Sequence, residues 1–240
     1  MNARLLAFRT LYKIIRDQDK PNKTGLSLLF SVLIYFSTEF IYKIADELQV
    51  EEVGVYEING LRFLYTIYDG QEYISFRGTE YKLWSNMKRV LNFIPKRTFT
   101  GHKAHRGFVM AFEDCDTIVS NLIKDRRRVI FTGHSLGGAL ALLAADQYGS
   151  TAVAFASPKV FFNRKKDMTV NYLGYKVIGD PIVHLPGNFF FMNWTRALPE
   201  FWFASKKKRS WNPLTHHSAG SYVDTLLDEF YDNERKAEEG

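Results

Sequence analysis

The alternation of predicted helices and strands after residue 100 constrains the fold of this chain more than any other feature. Helical patterns occupy residues 107–126 and 136–148, and apolar strands occupy residues 129–132, 152–156 and a stretch that ends near Ile178. A last helix is predicted from about Ser221 to Lys236. Strands that alternate with helices form a mostly parallel sheet with helices on both faces. In such sheets the functional residues lie at the carboxyl ends of the strands.

The chain before residue 100 has a different pattern. Two or three helices are predicted over residues 3–49, and strands follow at 53–58, 63–68 and 72–76. The strands are separated by Asn59-Gly60 and Asp69-Gly70, pairs that favour tight hairpin turns, so an antiparallel meander is expected. No repeat, linker or change of composition divides the 240 residues. We therefore predict one α/β domain, residues 1–240, in which a helical segment (1–49) precedes a core (50–225).

The composition restricts the compartment and the partners of the protein. Cys115 is the only cysteine, so an internal disulfide is excluded and a reducing compartment, the cytoplasm, is expected. The net charge is +6, but the basic residues are dispersed apart from one run at Lys206–Arg209. No nucleic-acid-binding pattern occurs, and an anionic membrane surface, contacted peripherally, is the electrostatic partner that this charge favours. Nothing in the sequence indicates a protein partner.

Two N-terminal segments are apolar enough to raise the question of membrane contact. The stretch Gly25–Phe36 is interrupted by the polar residues 37–39, well short of the roughly 20 residues of a membrane-spanning helix, so no such helix is predicted. The first sixteen residues are basic, with apolar side chains at helical spacing. That pattern fits a presequence or an interfacial helix. Most amphipathic helices dock on their own core, however, and this is the interpretation that we favour.

The run Gly133-His134-Ser135-Leu136-Gly137 lies between a predicted strand and a predicted helix. A G-x-S-x-G pattern in this setting is typical of a nucleophile elbow, in which a sharp turn exposes the serine oxygen. The two glycines leave room for the turn, and the Leu136 amide at the start of the helix can stabilise an oxyanion. Ser135 is therefore the candidate nucleophile. The alternative is a glycine-rich connection whose serine only caps the helix.

A serine hydroxyl needs a neighbouring base, and the base usually needs an acid to orient it. In hydrolases with this elbow the acid follows the serine and the histidine comes last, which leaves His184, His216 and His217. Asp180 follows a predicted strand and is the best-placed acid; the alternative is a turn aspartate bound to local backbone. His184 lies in an apolar run that favours packing or a binding pocket. His216 and His217 lie on a loop before the last helix, and one of them is expected to be the base.

Several ordered motifs resemble the class 3 lipase family, the fungal triacylglycerol lipase-like branch of the α/β-hydrolases, over roughly residues 50–225. They are Ile74–Thr79, similar to the strand that ends in the oxyanion residue; His105–Phe108, similar to the H-x-G-F segment; Gly133–Gly138, similar to the G-H-S-L-G-G elbow; Ala154–Pro158, similar to the next strand; and Asp180 with Leu185-Pro186. The resemblance implies an α/β-hydrolase fold. It also implies an oxyanion hole built by Thr79 and Leu136. It favours His217, which is followed by Tyr222, over His216 as the base.

The sequence departs from the family pattern at three places. Ala156 stands where the F-G-S-P segment has its usual glycine, Phe161 stands where a glycine is common, and no aspartate precedes Trp84. The first two changes are expected to alter the shape of the pocket more than the chemistry. The segment before Val53 matches the family only as generic helices, so no function is carried over to it.

The position of the family's lid is occupied by Lys82–Pro95, which mixes apolar and basic residues. We expect an interfacial lid whose apolar side faces the pocket when closed and a lipid surface when open; the alternative is a fixed helix packed on the core. The side chains assigned to the lid and the substrate are Trp84, Met87, Leu91 and Phe93. The aromatic runs Phe189–Trp194 and Phe201–Phe203 fit either a headgroup interface or an acyl pocket.

The resemblance and the ordered candidates together predict hydrolysis of a carboxylic ester, and of lipid esters in particular. Ser135 attacks the carbonyl, His217 acts as general base, Asp180 holds the imidazole, and water resolves the acyl-enzyme. A phospholipase, an acyltransferase or a non-catalytic lipid-binding protein on the same scaffold are the alternatives. No cluster of His, Cys and acidic residues has metal-ligand spacing, so neither a metal nor a cofactor is expected.

Overall fold

In the part of the chain that the structure describes, a seven-stranded sheet forms the centre, and helices cover both of its faces. The computed structural model of the chain describes residues 3–78, 94–162, 171–186, 194–195, 199–205 and 213–227. The elements in chain order are α1 (Ala3–Arg16), α2 (Lys23–Leu33), α3 (Thr38–Glu47), β1 (Glu52–Ile58), β2 (Leu61–Tyr68), β3 (Gln71–Phe76), β4 (Pro95–Arg97), β5 (Lys103–His105), α4 (Arg106–Leu122), β6 (Val129–His134), α5 (Leu136–Tyr148), β7 (Thr151–Phe155), β8 (Phe161–Phe162), β9 (Asn171–Val177), β10 (Trp194–Thr195), β11 (Glu200–Phe203) and the C-terminal helix, described over 219–227.

Polar side chains cap the N-terminal ends of the second and third helices. The Asn22 side chain accepts a hydrogen bond from the Gly25 N–H (2.7 Å) at the start of α2. The Ser37 hydroxyl accepts one from the Phe40 N–H (3.3 Å) at the start of α3. Such caps satisfy backbone donors that have no partner inside the helix. Beyond its first turn α2 is buried on all sides, as its almost uninterrupted apolar sequence predicts.

The first helix docks on the protein's own core, in agreement with the favoured interpretation of its sequence. Phe8, Leu11 and Ile15 of α1 are buried among the apolar residues of α2 and α3. The basic residues Arg9 and Lys13 are exposed on the opposite side. Within the described parts of the chain, no helix has both the length and the apolar composition needed to cross a bilayer.

The first three strands form the predicted antiparallel meander. β1 pairs with β2, and β2 pairs with β3. The connections Asn59-Gly60 and Asp69-Gly70 have positive φ at all four residues, between 48° and 79°. Two residues of positive φ form the tight turn whose twist matches that of the flanking strands. The hairpins therefore follow from the local sequence.

From β3 onwards the sheet is parallel, as predicted, and its order is β1-β2-β3-β6-β7-β9-β11. Parallel strands end at the same edge of a sheet. This arrangement brings together the residues that follow β3, β6 and β9. They are Gly78, Ser135 and Asp180.

Alternating side chains of the strands build a core on each face of the sheet. In β6, Phe131 packs on the side of α4 and α5, whereas Ile130 packs on the side of the N-terminal helices. Thr132 also faces α2. Its Oγ1 lies 2.9 Å from the Ser31 Oγ and donates to the Val153 carbonyl (2.7 Å). Polar contacts thus tie α2 to the strand that carries Ser135.

Several elements differ from those predicted. A second sheet of four strands, in the order β10-β8-β5-β4, was not predicted because strands of two or three residues show no periodicity. Phe201–Phe203, for which no strand was predicted, lies in the edge strand β11; its role at a lipid interface or in an acyl pocket stays a prediction. α4 ends at Leu122 rather than near residue 126, because Ile123 already has an extended backbone (ψ 116°). The last helix begins at residue 219, and its predicted end at Lys236 lies outside the described residues, as do residues 189–193.

The backbone conformation at Ala156 explains why the family pattern has a glycine at this position. Ala156 has a φ of 55°, in the left-handed region that costs an L-residue roughly 1–2 kcal/mol relative to glycine. Its side chain is buried in the core on the side of the N-terminal helices. Phe161, the second departure, is buried in β8, where it pairs with Thr195.

Candidate active site

Ser135 occupies the sharp turn between β6 and α5. Its φ of 60° and ψ of −124° are rarely adopted by residues other than glycine, and such strain costs on the order of 1–3 kcal/mol. Two backbone hydrogen bonds hold the turn, from the Ser135 N–H to the Phe155 carbonyl (2.9 Å) and from the Ala139 N–H to the Ser135 carbonyl (3.2 Å). The nucleophile elbow is therefore present in the fold where the motif predicts it.

The glycines of the motif are required by close backbone contacts. A Cβ on Gly133 would lie 2.4 Å from the carbonyl carbon of Gly137, and a Cβ on Gly137 would lie 2.0 Å from the Phe76 carbonyl oxygen. Both distances are far below van der Waals contact. The end of β3 therefore packs directly against the first turn of α5.

His217 connects Ser135 to Asp180. Its Nε2 lies 2.8 Å from the Ser135 Oγ, and its Nδ1 lies 2.9 Å and 3.1 Å from the two oxygens of Asp180. Because a carboxylate only accepts, Nδ1 carries the proton and Nε2 is free to accept from the serine hydroxyl. This is the arrangement in which an imidazole can take a proton from the nucleophile.

The other two candidate histidines lie elsewhere. His216 Nδ1 is 2.8 Å from the Ser205 Oγ, and the ring packs beside Gly179. The ring of His184 packs on that of Trp202, with ring centroids 5.8 Å apart. Of the histidines that follow the elbow, His217 is thus the one whose ring meets the Ser135 hydroxyl.

Asp180 is wholly buried and accepts three sets of hydrogen bonds. Besides His217, the Ile182 N–H donates to Oδ1 (2.9 Å) and the Tyr222 hydroxyl donates to Oδ2 (2.8 Å). Burial raises the pKa of Asp180, but the hydrogen bonds from His217, Tyr222 and Ile182 outweigh it and leave the pKa below its usual value. The side chain is therefore ionised at neutral pH.

Two residues of this network had no predicted role beyond their place in a motif. Tyr222 also accepts a hydrogen bond from the Val177 N–H (3.1 Å), so it joins the C-terminal helix to the end of β9. His134, the second residue of the elbow motif, donates from Nε2 to the His217 carbonyl (2.8 Å). These contacts join residues 45 and 83 positions apart. No local sequence pattern reports contacts over such separations.

The oxyanion candidates are described only in part. Leu136 is the first residue of α5 and is buried, so its N–H is one of the free donors of the helix start. Gly78 reaches the nucleophile, since a Cβ on Gly78 would lie 3.2 Å from the Ser135 Cβ and 2.4 Å from the His134 carbonyl oxygen. The next residue, Thr79, lies outside the described residues, and so do the lid candidates Trp84, Met87, Leu91 and Phe93. Their roles stay predictions. In the described ranges no group of three or more His, Cys, Asp or Glu side chains could hold a metal ion.

Comparisons with known proteins give a family for part of the chain and a fold for most of it. The family model described as lipase (class 3) matches residues 73–190, which include Ser135 and Asp180 and end before His217. None of the curated protein sequences matches the chain significantly.

Several solved lipase structures are similar to this one. The triacylglyceride lipase of Rhizomucor miehei gives a TM-score of 0.59 at 21% sequence identity, over 84% of this chain and 81% of the lipase. The mono- and diacylglycerol lipase of Aspergillus oryzae gives 0.60 at 17% identity, over 80% and 83%. Lipase II of Rhizopus niveus gives 0.56 at 17% identity, over 86% and 82%. The chain therefore has the α/β-hydrolase fold of these lipases, and its residues 73–190 match the class 3 lipase family.

Proposed function

We propose that this protein is a lipase, a serine hydrolase that cleaves carboxylic esters of acylglycerols or related lipids. The observation that carries the proposal is the continuous set of hydrogen bonds from the Ser135 Oγ through both ring nitrogens of His217 to Asp180. The class 3 lipase match over residues 73–190 and the lipase fold support the same class of reaction.

The first half of the reaction forms an acyl-enzyme. Ser135 Oγ attacks the ester carbonyl while Nε2 of His217 takes the hydroxyl proton, and the ionised Asp180 stabilises the imidazolium. The oxyanion forms at the start of α5, where the Leu136 N–H is available. Thr79 is proposed as the second donor, because it follows Gly78 at the nucleophile. His217 then gives its proton to the departing alcohol.

The second half of the reaction releases the acid. A water molecule transfers a proton to Nε2 of His217 and attacks the acyl carbonyl, and collapse of the second tetrahedral intermediate returns the proton to the Ser135 Oγ. None of these steps needs a metal, since the base, the acid and the backbone donor are all supplied by the chain. The carboxylate of Asp180 stays ionised throughout, as its lowered pKa favours.

Apolar side chains near the acid support a lipid substrate. Ile178 is 57% exposed although it lies two residues before Asp180, and Leu185, five residues after it, is 39% exposed. We propose that these two side chains contact the acyl chains or the lipid surface. The similar solved structures are named for lipases of tri-, di- and monoacylglycerols, so acylglycerols are the first substrates to test.

The experiment that tests the proposal is labelling by a fluorescent alkylphosphonate, which reacts with an activated serine. We expect the wild type to be labelled, Ser135→Ala, Asp180→Ala and His217→Ala to lose labelling, and the matched control His216→Ala to keep it. An unlabelled but folded wild type would favour a non-catalytic lipid-binding protein. Labelling lost in His216→Ala but kept in His217→Ala would contradict the assignment of the base.

A substrate panel then separates the remaining activities. The rates of hydrolysis of triacylglycerol, of monoacylglycerol and of phospholipid in vesicles distinguish a lipase from a phospholipase. Added glycerol or lysolipid detects acyl transfer, because a new ester would form in place of the free acid. We propose peripheral contact with anionic lipid surfaces. Equal binding to anionic and neutral vesicles at low and high salt would contradict that part of the proposal.

A further inference from the structure

We propose that Tyr35 is a positioning residue for His217, so that the N-terminal helical segment is a functional part of the catalytic machinery. The inference rests on the proposed function of Ser135 and His217. Tyr35 lies two residues after the end of α2, in the part of the chain to which the sequence assigned no function. Its hydroxyl lies 3.4 Å from Nδ1 of His134, and a Cβ on Gly78 would come within 2.4 Å of that hydroxyl.

The backbone of His217 is held by His134. The 2.8 Å contact between His134 Nε2 and the His217 carbonyl oxygen requires a proton on Nε2, because a carbonyl oxygen only accepts. His217 is thus held by its carbonyl, which accepts from His134, by its N–H, which donates to the Leu214 carbonyl (3.1 Å), and by its Nδ1, which donates to Asp180. Together these contacts place the imidazole at 2.8 Å from the Ser135 Oγ.

Tyr35 donates to the ring nitrogen of His134 that carries no proton. The side chain of His134 is buried, and burial together with the neighbouring His217 lowers its pKa to about 3. The ring is therefore neutral at ordinary pH and carries a single proton. With that proton on Nε2, Nδ1 only accepts, so the Tyr35 hydroxyl must be the donor. In the other tautomer the Nε2 lone pair would face the His217 carbonyl oxygen, and the two would repel each other.

The Tyr35 side chain is itself placed by the N-terminal helices. The Arg4 guanidinium of α1 lies over its ring, 4.6 Å from the ring centroid, a favourable cation–π geometry. α2 is tied to β6 by the contact between Ser31 and Thr132. The chain of contacts from α1 to the catalytic histidine is therefore Arg4, Tyr35, His134, His217.

The test compares Tyr35→Phe with Tyr12→Phe. Tyr35→Phe removes only the hydroxyl and keeps the ring under Arg4. Tyr12→Phe is the matched control, since the Tyr12 hydroxyl donates to Glu47 (2.6 Å) and joins α1 to α3 without touching the elbow. For both variants and the wild type, kcat and KM are measured on a soluble p-nitrophenyl ester, together with the rate of phosphonate labelling and the unfolding temperature.

We expect Tyr35→Phe to lower kcat and the labelling rate by about threefold to tenfold, the effect of losing one hydrogen bond, with KM unchanged. We expect Tyr12→Phe to leave both rates at wild-type values. Nitrogen-15 NMR of the His134 ring, assigned with His134→Gln, should show the Nε2–H tautomer in both proteins, with the Nδ1 resonance shifted in Tyr35→Phe because that nitrogen has lost its hydrogen-bond donor.

Three outcomes would overturn the role of Tyr35. They are a kcat of Tyr35→Phe equal to that of Tyr12→Phe, a rise in KM at constant kcat, and an unchanged Nδ1 resonance of His134. A rate loss that only parallels the unfolding temperature in both variants would also reduce Tyr35 to a structural residue. Absence of labelling in the wild type would contradict the proposed function, and the role of Tyr35, which rests on that function, would fail as well. Normal wild-type labelling with unchanged Tyr35→Phe rates would overturn the role of Tyr35 alone.

Discussion

Replacement of Asp180 by asparagine is the sharpest test of the proposed mechanism, because it changes the hydrogen bonding at His217 with almost no change in volume. In the wild type, Oδ1 accepts from the Ile182 N–H, and Oδ2 accepts from the Tyr222 hydroxyl and from Nδ1–H of His217. Asparagine has one oxygen and one NH2 group, so it can satisfy only one of the two sites as an acceptor. The residue is fully buried, which leaves no room for bulk water to compensate.

Both orientations of the asparagine amide are unfavourable. With NH2 in the Oδ1 position, it faces the Ile182 N–H, and two donors meet in a buried place. With NH2 in the Oδ2 position, it donates to Nδ1 of His217, and the imidazole proton moves to Nε2. A protonated Nε2 cannot accept the Ser135 proton. We therefore expect kcat to fall by about 10⁴, the effect of the wrong tautomer in a serine triad.

The measurement is kcat at saturating p-nitrophenyl ester, with the unfolding temperature as a check on folding. Asp17→Asn serves as the control, since Asp17 is exposed and its carboxylate pairs with the adjacent Arg16. We expect Asp17→Asn to have wild-type kcat. A folded Asp180→Asn protein that keeps kcat within about tenfold of wild type would refute the reasoning that Asp180 sets the tautomer of His217.

Three further predictions concern the supports of the site. Tyr222→Phe removes one donor from Asp180 and the acceptor of the Val177 N–H, so we expect a stability loss of about 1–3 kcal/mol by urea unfolding; an unchanged midpoint would contradict this. Gly137→Ala would place a Cβ 2.0 Å from the Phe76 carbonyl oxygen, whereas Gly138→Ala would place one 3.0 Å from the Ser157 Cβ. Although alanine favours a helix over glycine by about 1 kcal/mol at either position, we expect soluble yield and labelling to fall much further in Gly137→Ala. Equal losses in the two variants would argue against the close packing of β3 on α5. Burial lowers the pKa of His134 from 6.5 to about 3, so between these values the unfolded chain binds a proton that the folded chain does not, and stability should fall as the pH decreases from 6.5 towards 3. Urea unfolding at several pH values should show a flatter dependence for His134→Gln, and identical slopes would mean that another group is responsible.

Much of the fold was predictable because its signals are local. Asn59-Gly60 and Asp69-Gly70 specify hairpin turns by the positive φ that they tolerate, and the meander follows. The alternation of helices and strands after residue 100 specifies the parallel sheet. The four-stranded second sheet was missed for the complementary reason, since strands such as β8 and β10 have two residues each and acquire their partners only in the folded chain.

The nucleophile belongs to the predictable part of the site. Gly133, Ser135 and Gly137 lie within five residues, and the steric demands of one turn select the two glycines on either side of the exposed serine. Asp180 could be proposed from its place after a strand, because parallel strands end at one edge. The preference for His217 over His216 came from the resemblance to a family, since the two adjacent histidines have the same local sequence.

Only the tertiary structure decided which residues complete the site and hold the base in place. His216 and His217 point in different directions from one turn, one to Ser205 and the other to Ser135, and packing of the whole C-terminal segment sets those directions. Likewise the contacts of His134 with Tyr35 and with the His217 carbonyl span 99 and 83 residues. Periodicity and turn chemistry act over a few residues, so the sequence by itself determined the elbow and the layers of the fold. The partners that hold the base in place depend on how distant helices pack on the sheet, which no local pattern encodes.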